Sequence, residues 1–305
     1  MPVPSSTSPS GSPTSSDGPG DLRPLISVVV PTRDRIYALR RCLRALSAQT
    51  VKDRLEVIVV DDGSVDGASV AKVVSDAPSA RLIRQAPAGP ASARNAGVRA
   101  ARAEFICFTD DDCAPVEDWA ERLVGSLESG ADVVGGRTLP GNGNAMERAS
   151  ELIARAPALA MPADGLTFTP SNNLACRAEV LSAVSFDDRY PTAAGEDREW
   201  CARLLRSGCS LQYEPAAVVV HHQELDVRSF LRQQLRYGRG AFRFRRLGTE
   251  RLPLEQPRFY GQLVRRGFAE GPLEGVLVCL AQIATAAGFA AEWLNTRRAE
   301  RTLAG

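Results

Sequence analysis

Three consecutive aspartates, Asp110, Asp111 and Asp112, follow the apolar run at residues 104–109, which predicts a buried strand. Carboxylates at the end of a buried strand are costly unless positive charge faces them. A Mg²⁺ or Mn²⁺ ion that carries a phosphate ligand meets this requirement, because both ions prefer oxygen ligands. The alternative is a solvated loop or a helix cap, since residues 115–119 predict the start of a helix.

A second acidic pair, Glu196 and Asp197, opens a predicted helix that continues through Leu204 and Leu205. Acidic residues in the first turn of a helix interact favourably with its dipole, so simple capping is one interpretation. A carboxylate held in a cleft can also act as a general base for a hydroxyl group. The pair alone leaves both interpretations open.

The elements that must position these residues alternate along the first half of the chain. The predicted strands are Ile26–Val30, Leu55–Val60, Arg81–Gln85 and Glu104–Thr109, and the predicted helices are Arg35–Ala48, Asp66–Asp76, Pro90–Arg102 and Val116–Ser129. Nearly continuous apolar strands that alternate with helices indicate a parallel sheet covered on both faces. Ligands of such sheets bind at the carboxyl ends of the strands.

Each of the four strands is followed by a polar loop. The first reads PTRDR from Pro31, the second reads DDGS from Asp61, and the third reads GPASARNAG from Gly89. The fourth is the acidic triplet, and the coincidence of all four at one sheet edge indicates a nucleotide site. The chain has no GxxxxGKS/T segment, and no GxGxxG follows the first strand, which disfavours a P-loop NTPase and a dinucleotide-binding oxidoreductase.

The composition is that of a soluble globular protein, with 305 residues, 44% hydrophobic and 24% charged. A net charge of +1 gives no reason to expect nucleic acid as a partner. Seven scattered cysteines fit a reducing cytoplasm better than a disulfide framework. Residues 1–20, rich in Ser, Pro and Gly, lack the apolar core of a secretory signal and predict a disordered tail.

The ordered series VVVPTRDR, VVDDGS, GPASARNAG, FTDDD and GED, with a histidine after a later strand, resembles the inverting glycosyltransferases of family 2. The resemblance covers residues 25–250. It implies an α/β fold of the GT-A type, with a mostly parallel central sheet and helices on both faces. The implied organisation is a tail at 1–24, a catalytic domain at 25–225 and a C-terminal helical region at 226–305. Within the catalytic domain, residues 25–136 would form the donor half and 137–225 the acceptor half.

The resemblance also implies roles for individual residues. Asp197 corresponds to the catalytic base, and Glu196 would orient the acceptor or the loop. Asp112 and His221 would hold Mg²⁺ or Mn²⁺, and His221 is chosen over His222 because neighbouring strand residues face opposite sides. The residues implied to bind the nucleotide sugar are Pro31, Thr32, Arg33, Asp61, Asp62, Arg94, Asp110, Asp111 and Asn173. The family usually has an aromatic residue and Asn where this chain has Arg33 and Asp34.

Two features lie beyond this set. Six arginines recur at helical spacing, at positions 228, 232, 236, 239, 243 and 246. Three interpretations compete for them: a solvated helix face, contact with the diphosphate or an anionic acceptor, and binding to anionic lipid. The uncharged stretch at residues 275–291 predicts a packed or membrane-surface helix, and a membrane-spanning helix is the alternative.

The expected activity is therefore metal-assisted transfer of a sugar, with inversion, from a nucleotide-diphosphate donor to an acceptor hydroxyl. The acceptor is a glycan, lipid, peptide or small molecule, and an anionic membrane surface is a further expected partner. The expected location is the cytoplasm, on the inner face of the membrane. The alternatives are a sugar-phosphate nucleotidyltransferase and a non-catalytic protein that binds sugar nucleotides or a lipid surface.

Overall fold

A computed structural model describes residues 24–159, 166–190, 192, 194–247 and 256–304. The predicted tail at 1–24 lies, except for its last residue, outside them. One sheet of eight strands runs through the described part of the chain, in the order β3-β2-β1-β4-β7-β6-β8-β5. The strands are β1 (Ile26–Thr32), β2 (Leu55–Asp61), β3 (Ala80–Arg84), β4 (Phe105–Thr109), β5 (Cys113–Pro115), β6 (Val133–Pro140), β7 (Asn173–Arg177) and β8 (Leu211–His221).

The first four strands form the parallel half of the sheet, as predicted. β1 pairs in parallel with both β2 and β4, and β2 pairs in parallel with β3. All seven residues of β2 are buried, which explains why its sequence is apolar without alternation. The connecting helices are α1 (Ile36–Ser47), α2 (Gly67–Ser75), α3 (Pro90–Ala100) and α4 (Trp119–Glu128), with a single 3-10 turn at Lys52–Arg54. The parallel arrangement brings the polar loops after these strands to one edge.

The second half of the sheet is mixed. β7 runs antiparallel to β4 and β6, whereas β6 and β8 are parallel. The ladder of β6 and β8 shifts register between Gly136 and Arg137. The helices of this half are α5 (Ala145–Leu159), α6 (Ala178–Ala183) and α7 (Glu196–Arg206). The antiparallel pairing of β4 with β7 aligns Thr109 with Asn173 and so places the loop before β7 beside the end of β4.

Hydrophobic clusters cover both faces of the sheet. One cluster packs α1, α2 and α4 on the sheet and includes the fully buried Trp119. The opposite cluster packs α3, α6 and α7 and includes Phe108, Phe186 and Trp200. Phe186 stacks on Trp200 with ring centroids 4.7 Å apart and meets the edge of Phe108 at 5.5 Å. The prediction of helices on both faces is confirmed.

A C-terminal helical extension follows the sheet, as predicted. It consists of α8 (Val227–Leu247), α9 (Pro257–Glu270) and α10 (Pro272–Ala304). Residues of α5, α8, α9 and α10 share a third hydrophobic cluster. Gly238 and Gly288 allow the backbones of α8 and α10 to approach closely, because a Cβ on Gly238 would lie 1.9 Å from the Thr285 carbonyl oxygen. The glycines of the arginine-rich segment therefore serve packing, and α8 continues through them without interruption.

One face of α10 remains exposed. The most apolar 18-residue window within Pro272–Glu300 has a mean hydropathy of 1.7, and only 39% of that window is buried. The exposed fractions are 56% for Leu273, 48% for Val276, 40% for Leu280 and 67% for Ile283. Their spacing places these four side chains along one side of the helix. The apolar character of α10 therefore exceeds what its packing against the protein uses.

Candidate active site

The acidic triplet lies at the end of β4, at the edge where the polar loops meet. Asp111 is buried, and its carboxylate accepts hydrogen bonds from Thr32 Oγ1 at 2.7 Å and Arg35 Nη1 at 3.3 Å. The same Arg35 nitrogen lies 2.6 Å from Asp112 Oδ2. Thr32 ends β1 and Arg35 immediately precedes α1, so parallel pairing of β1 and β4 creates this contact. The triplet is thus tied to the first loop, as its position on the sheet requires.

Asp112 and His221 face each other. His221 Nε2 lies 3.2 Å from Asp112 Oδ1, and its Nδ1 lies 3.9 Å from the Glu151 carboxylate. Antiparallel pairing of β5 with β8 aligns Cys113 with His221. One ligand atom from each of Asp112, Cys113 and His221 lies within 4.8 Å of the others. Asp112 and His221 are the predicted ligands of a divalent metal ion, whereas burial raises the pKa of the Cys113 thiol, which disfavours the thiolate form that binds metals.

His222 points elsewhere. A Cβ on Gly141 would lie 2.4 Å from His222 Nδ1, so the ring of His222 packs over the turn after β6. Its backbone N–H donates to the Asp112 carbonyl oxygen at 2.8 Å. Strand alternation separates the two histidines in the way that the choice of His221 assumed.

The ion pairs around the triplet shift the pKa of each partner. Burial, together with repulsion from Asp112, raises the pKa of Asp111 to about 7. Burial acts in the same direction on Asp112, but hydrogen bonding to His221 and the charge of Arg35 lower its pKa to about 2. Burial disfavours the imidazolium of His221, yet its carboxylate partners Asp112 and Glu151 raise its pKa to about 10. Protein cations therefore supply positive charge to the triplet, and a metal ion would take over part of that role.

Arg94 joins the triplet to the second acidic pair. It lies in α3, its side chain is only 3% exposed, and its Nη2 lies 3.0 Å from Asp110 Oδ1. Its Nη1 lies 3.2 Å from Glu196 Oε1 and 3.7 Å from Asp197 Oδ1. Arg94 is 16 residues from Asp110 in the sequence and 102 residues from Glu196. The two acidic sites that the sequence shows separately are thus one cluster.

The acidic pair begins α7, where Gly195 adopts a left-handed conformation with φ 94°. Such a conformation favours glycine, so Gly195 allows the chain to enter the helix with both carboxylates directed at Arg94. Asp197 Oδ2 accepts the backbone N–H of Ser171 at 3.1 Å. Burial raises the pKa of Asp197, and burial together with the charge of Asp197 raises the pKa of Glu196 to about 7. These shifts suit a group that accepts a proton near neutral pH.

Asp61 and Asp62 are buried at the end of β2. Asp61 Oδ1 accepts the Ser64 N–H at 2.8 Å, which closes the DDGS turn. Asp62 accepts the side-chain amide of Gln85 and the backbone N–H groups of Ala88 and Gly89, all at 2.8–2.9 Å. Asp62 therefore fixes the loop that leads into α3 and to Arg94. A contact of either carboxylate with a base or ribose stays a prediction.

Asn173 lies in the interior, apart from the acidic cluster. It is 0% exposed, and its Oδ1 accepts the indole N–H of Trp119 at 2.8 Å. Its amide nitrogen donates to the carbonyl oxygens of Arg137 and Ala217, both at 3.0 Å. Gly136 makes room for this amide, because a Cβ there would lie 2.4 Å from Asn173 Oδ1. All polar atoms of the Asn173 side chain thus have internal partners, and its predicted contact with the nucleotide sugar is left without geometric support.

The two remaining predicted residues belong to the first loop. Pro31 is half-buried within β1, and Arg33 is exposed beside Asp34, whose carboxylate lies 3.8 Å from the Arg33 Nε atom.

The sequence did not predict two residues of the site: Arg35, which contacts the triplet, and Glu151, which contacts His221. Arg35 is part of the PTRDR loop, so its position at a strand end was a usable signal. Glu151 lies in the middle of α5, and nothing in the local sequence distinguishes it from a surface acid.

Comparison with known proteins identifies the family. Residues 27–184 match the family described as glycosyl transferase family 2. The chain belongs to this family. It is 31% identical over 225 residues to the glycosyltransferase AglE of Haloferax volcanii, covering 71% of this chain and 73% of that protein. It is 30% identical over 226 residues to the pre-mycofactocin glycosyltransferase of Mycobacterium tuberculosis (strain ATCC 25618 / H37Rv), covering 71% of this chain and 46% of that protein. The chain thus spans about half the length of the mycobacterial relative.

Solved structures support the GT-A fold of this family 2 member. The mannosyltransferase PcManGT from Pyrobaculum calidifontis, in complex with GDP-Man and Mn²⁺, superposes with a TM-score of 0.60 at 22% identity. The match covers 91% of this chain and 80% of that one. Residues 1–349 of S. aureus TarS superpose with a TM-score of 0.53 at 17% identity, covering 90% of this chain and 91% of that one. At these identities the likeness bears on the fold alone.

Proposed function

We propose that this family 2 member transfers a sugar from a nucleotide-diphosphate donor to an acceptor hydroxyl, with inversion and with the help of a divalent metal ion. The observation that carries the proposal is the cluster at one sheet edge, where Arg94 links the triplet to Glu196 and Asp197. Inverting transfer needs a base on one side of the sugar and charge stabilisation of the leaving group on the other. The cluster contains candidates for both roles.

Asp197 is the proposed base. Its side chain is 22% exposed, whereas that of Glu196 is 4% exposed and bonded to Arg94. The Ser171 N–H holds one Asp197 oxygen, while Oδ1 has no hydrogen bond within the protein. Oδ1 itself is buried beside Arg94 Nη1 at 3.7 Å, and the exposed part of the carboxylate is the part that an acceptor hydroxyl can reach. Glu196, held by Arg94, would orient the acceptor or the loop.

The proposed metal site consists of Asp112 and His221. A divalent ion bound there, Mg²⁺ or Mn²⁺, would stabilise the negative charge of the departing diphosphate. The Asp112 carboxylate suits both ions, whereas the imidazole of His221 suits Mn²⁺ better than Mg²⁺, which prefers oxygen ligands. The solved PcManGT complex contains GDP-Man and Mn²⁺, which supports a nucleotide sugar and a divalent ion as ligands here. Asp110 and Asp111, together with the loop from Pro31 to Arg33, form the proposed donor-binding surface beside this ion.

The decisive experiment measures release of nucleoside diphosphate. The protein is incubated with Mn²⁺ and a panel of UDP, GDP and dTDP sugars, with and without candidate acceptors. Diphosphate release with acceptor-dependent product supports the transferase, and NMR of the product's anomeric proton reports inversion. Release of pyrophosphate from a nucleoside triphosphate and a sugar phosphate would instead identify a nucleotidyltransferase. Donor binding without any turnover would identify a binding protein.

Two variants separate the proposed roles. Asp197→Asn removes the base and should lower transfer at least about 10²-fold while donor binding persists. Asp112→Ala should abolish metal-dependent donor binding, measured as the thermal shift that the donor and Mn²⁺ produce together. Asp118→Asn is the matched control, because Asp118 is paired with Arg122 on the surface. Near-normal turnover of the Asp197→Asn variant would rule out the base assignment.

We further infer that this activity takes place at an anionic membrane surface in the cytoplasm. The support is the exposed apolar face of α10, together with Trp293, which is 40% exposed and covered by Arg297 at 4.3 Å. An apolar helix face flanked by Trp and Arg suits the boundary of a bilayer. Of the predicted arginine stripe, Arg243 and Arg246 bind Glu292 and Glu300 of α10. The stripe thus serves partly to hold α10 in place.

Vesicle binding tests the membrane proposal. The protein should cosediment with vesicles that contain anionic phosphatidylglycerol, and less with neutral vesicles. The double variant Val276→Glu and Ile283→Glu should weaken that binding because both side chains are exposed on α10. Val65→Glu is the matched control, since Val65 is 93% exposed and belongs to the N-terminal half of the sequence. Equal binding of the double variant and the control would refute the role of α10.

A further inference from the structure

The buried guanidinium of Arg94 is shared by three carboxylates from two parts of the chain. Asp110 belongs to the loop after β4, and Glu196 and Asp197 belong to the first turn of α7. A planar guanidinium presents N–H donors in two directions, which a lysine ammonium on a flexible stem cannot reproduce in the same fixed geometry. Arg94 uses Nη2 for Asp110 and Nη1 for the acidic pair. One positive charge is thus divided between the donor side and the acceptor side.

We propose that Arg94 is a positioning residue that couples the charge of Asp110 to the ionisation of Asp197. The inference rests on the proposed function, in which Asp197 is the base. When a donor hydroxyl hydrogen-bonds to Asp110, more of the Arg94 charge would become available to Glu196 and Asp197. Donor occupancy would then favour the ionised, proton-accepting form of the base. The pKa of Asp197 would therefore be higher before the donor binds than after it.

The surroundings of Arg94 make this division of charge effective. Arg94 is 3% exposed and Glu196 is 4% exposed, so solvent screens their pair weakly, whereas Asp110 is 32% exposed and within reach of a ligand. Its guanidinium also lies 5.8 Å from the ring of Phe186, and the backbone loop before α3 is fixed by Asp62. The side chain is therefore confined between the two acidic groups. A small shift of the guanidinium, or of the charge on Asp110, changes the field at Asp197.

Several ionisable groups face Asp197. From its own helix these are Glu196 and Cys201, from α3 Arg94, from the β4–β5 loop Asp110, and from α8 Tyr237. Arg198 follows Asp197 directly and lies over the ring of Phe168 at 5.6 Å. Burial raises the pKa of Tyr237 to about 12 and that of the Cys201 thiol to about 12, so both stay neutral near pH 7. Arg94 and Asp110 are the charged groups with the largest effects on Asp197, and Glu196 is coupled to it through the shared Arg94.

The test uses the full chain and two substitutions of opposite expected sign. Asp110→Asn removes a negative charge near Asp197 and releases Arg94 to the acidic pair. Arg94→Lys keeps the positive charge but cannot bridge both groups. The acid limb of the pH profile of kcat/KM for the donor, which reports the protein without bound donor, should move down by about half a pH unit in the first variant and up by about one unit in the second. Arg122→Gln, a surface ion-pair partner of Asp118, should leave the limb in place.

A second readout does not depend on turnover. In protein with ¹³C-labelled carboxyl groups, the titration of Asp197 is followed by NMR without donor, and the two variants should shift it in the same opposite directions. The proposal is overturned if the pKa of Asp197 in both folded variants stays within about 0.2 pH units of the wild-type value, which is about the error of such a measurement. If Arg94→Lys does not fold, Asp110→Asn alone decides in the same way. Absence of transfer by wild-type protein with every donor would contradict the proposed function, and the NMR titration would still test the coupling.

Discussion

Replacing Asn173 with Ala tests whether this residue binds the donor or supports the sheet. The resemblance to family 2 predicts a nucleotide-sugar contact, whereas the structure gives the whole amide internal partners. These partners lie at the register shift between Gly136 and Arg137, where the ladder of β6 and β8 is irregular. The amide of Asn173 thus satisfies carbonyl oxygens at this irregularity and the indole N–H of Trp119. A structural role predicts lost stability as the first effect of the substitution.

The magnitude follows from the three hydrogen bonds. A buried donor left without a partner costs about 1–3 kcal/mol, and each lost hydrogen bond costs about 1 kcal/mol net. The indole N–H of the fully buried Trp119 would lose its acceptor, and two carbonyl oxygens would lose a donor. The expected loss is about 3–4 kcal/mol. Because domains are typically stable by about 5–15 kcal/mol, the variant should remain folded at 25 °C.

The assay is urea unfolding followed by tryptophan fluorescence, with donor affinity measured on the folded protein. Asn172→Ala is the matched control, because its neighbouring amide is 8% exposed and its Oδ1 has no hydrogen-bond partner within the protein. That control should change the free energy of unfolding by less than about 1 kcal/mol. If Asn173→Ala instead kept its stability within about 0.5 kcal/mol and lost donor affinity tenfold, the structural assignment would be refuted.

Three further perturbations have expected outcomes. Burial opposes ionisation of Glu56, but hydrogen bonds from Ser27, Arg102 and Arg81 lower its pKa below the usual 4.5. The ionised Glu56 therefore stabilises the fold above pH 4.5, and this stabilisation is lost as the pH falls below that value. Glu56→Gln should flatten this acid dependence of the free energy of unfolding, measured in urea. Gly97→Val should destabilise by about 1–3 kcal/mol and weaken donor binding, because a Cβ there would lie 2.3 Å from Val29 Cγ1 and displace α3. Arg35→Gln should increase the affinity for Mn²⁺ measured by calorimetry, because the Arg35 guanidinium pairs with the carboxylates of both Asp111 and Asp112 and so competes with an ion.

Each of these expectations has a control. Glu128→Gln, on the surface at the end of α4, should leave the acid dependence unchanged. Gly125→Ala, where nothing lies within 4 Å of the added Cβ, should stabilise α4 by about 0.5–1 kcal/mol, and equal effects at both glycines would contradict the packing account. Arg40→Gln is the control for the metal measurement because Arg40 is exposed on α1. Unchanged Mn²⁺ affinity in Arg35→Gln would show that the guanidinium does not compete with the ion.

The local pattern of the sequence determined the framework of this protein. The apolar runs of β1, β2 and β4 have no polar alternation, because both faces of these strands are covered, and this alone predicts a parallel sheet with helices. Parallel strands end at the same edge, so the sequence alone places the triplet and the polar loops together. The ordered motifs also sufficed to identify the family, which the match over residues 27–184 confirmed.

Tertiary structure alone decided which side chains meet and what they do there. No spacing rule connects Arg94 to Glu196, Glu151 to His221, or Asn173 to Trp119, because these pairs lie on elements that the fold brings together from distant parts of the chain. The sequence presented the triplet as a cluster in need of a cation, and the structure supplies Arg35, Arg94 and His221 as its partners. Secondary structure depends on local periodicity, which a sequence displays directly. Charge and hydrogen-bond pairing depend on distances through space, which only the packed sheet and helices define.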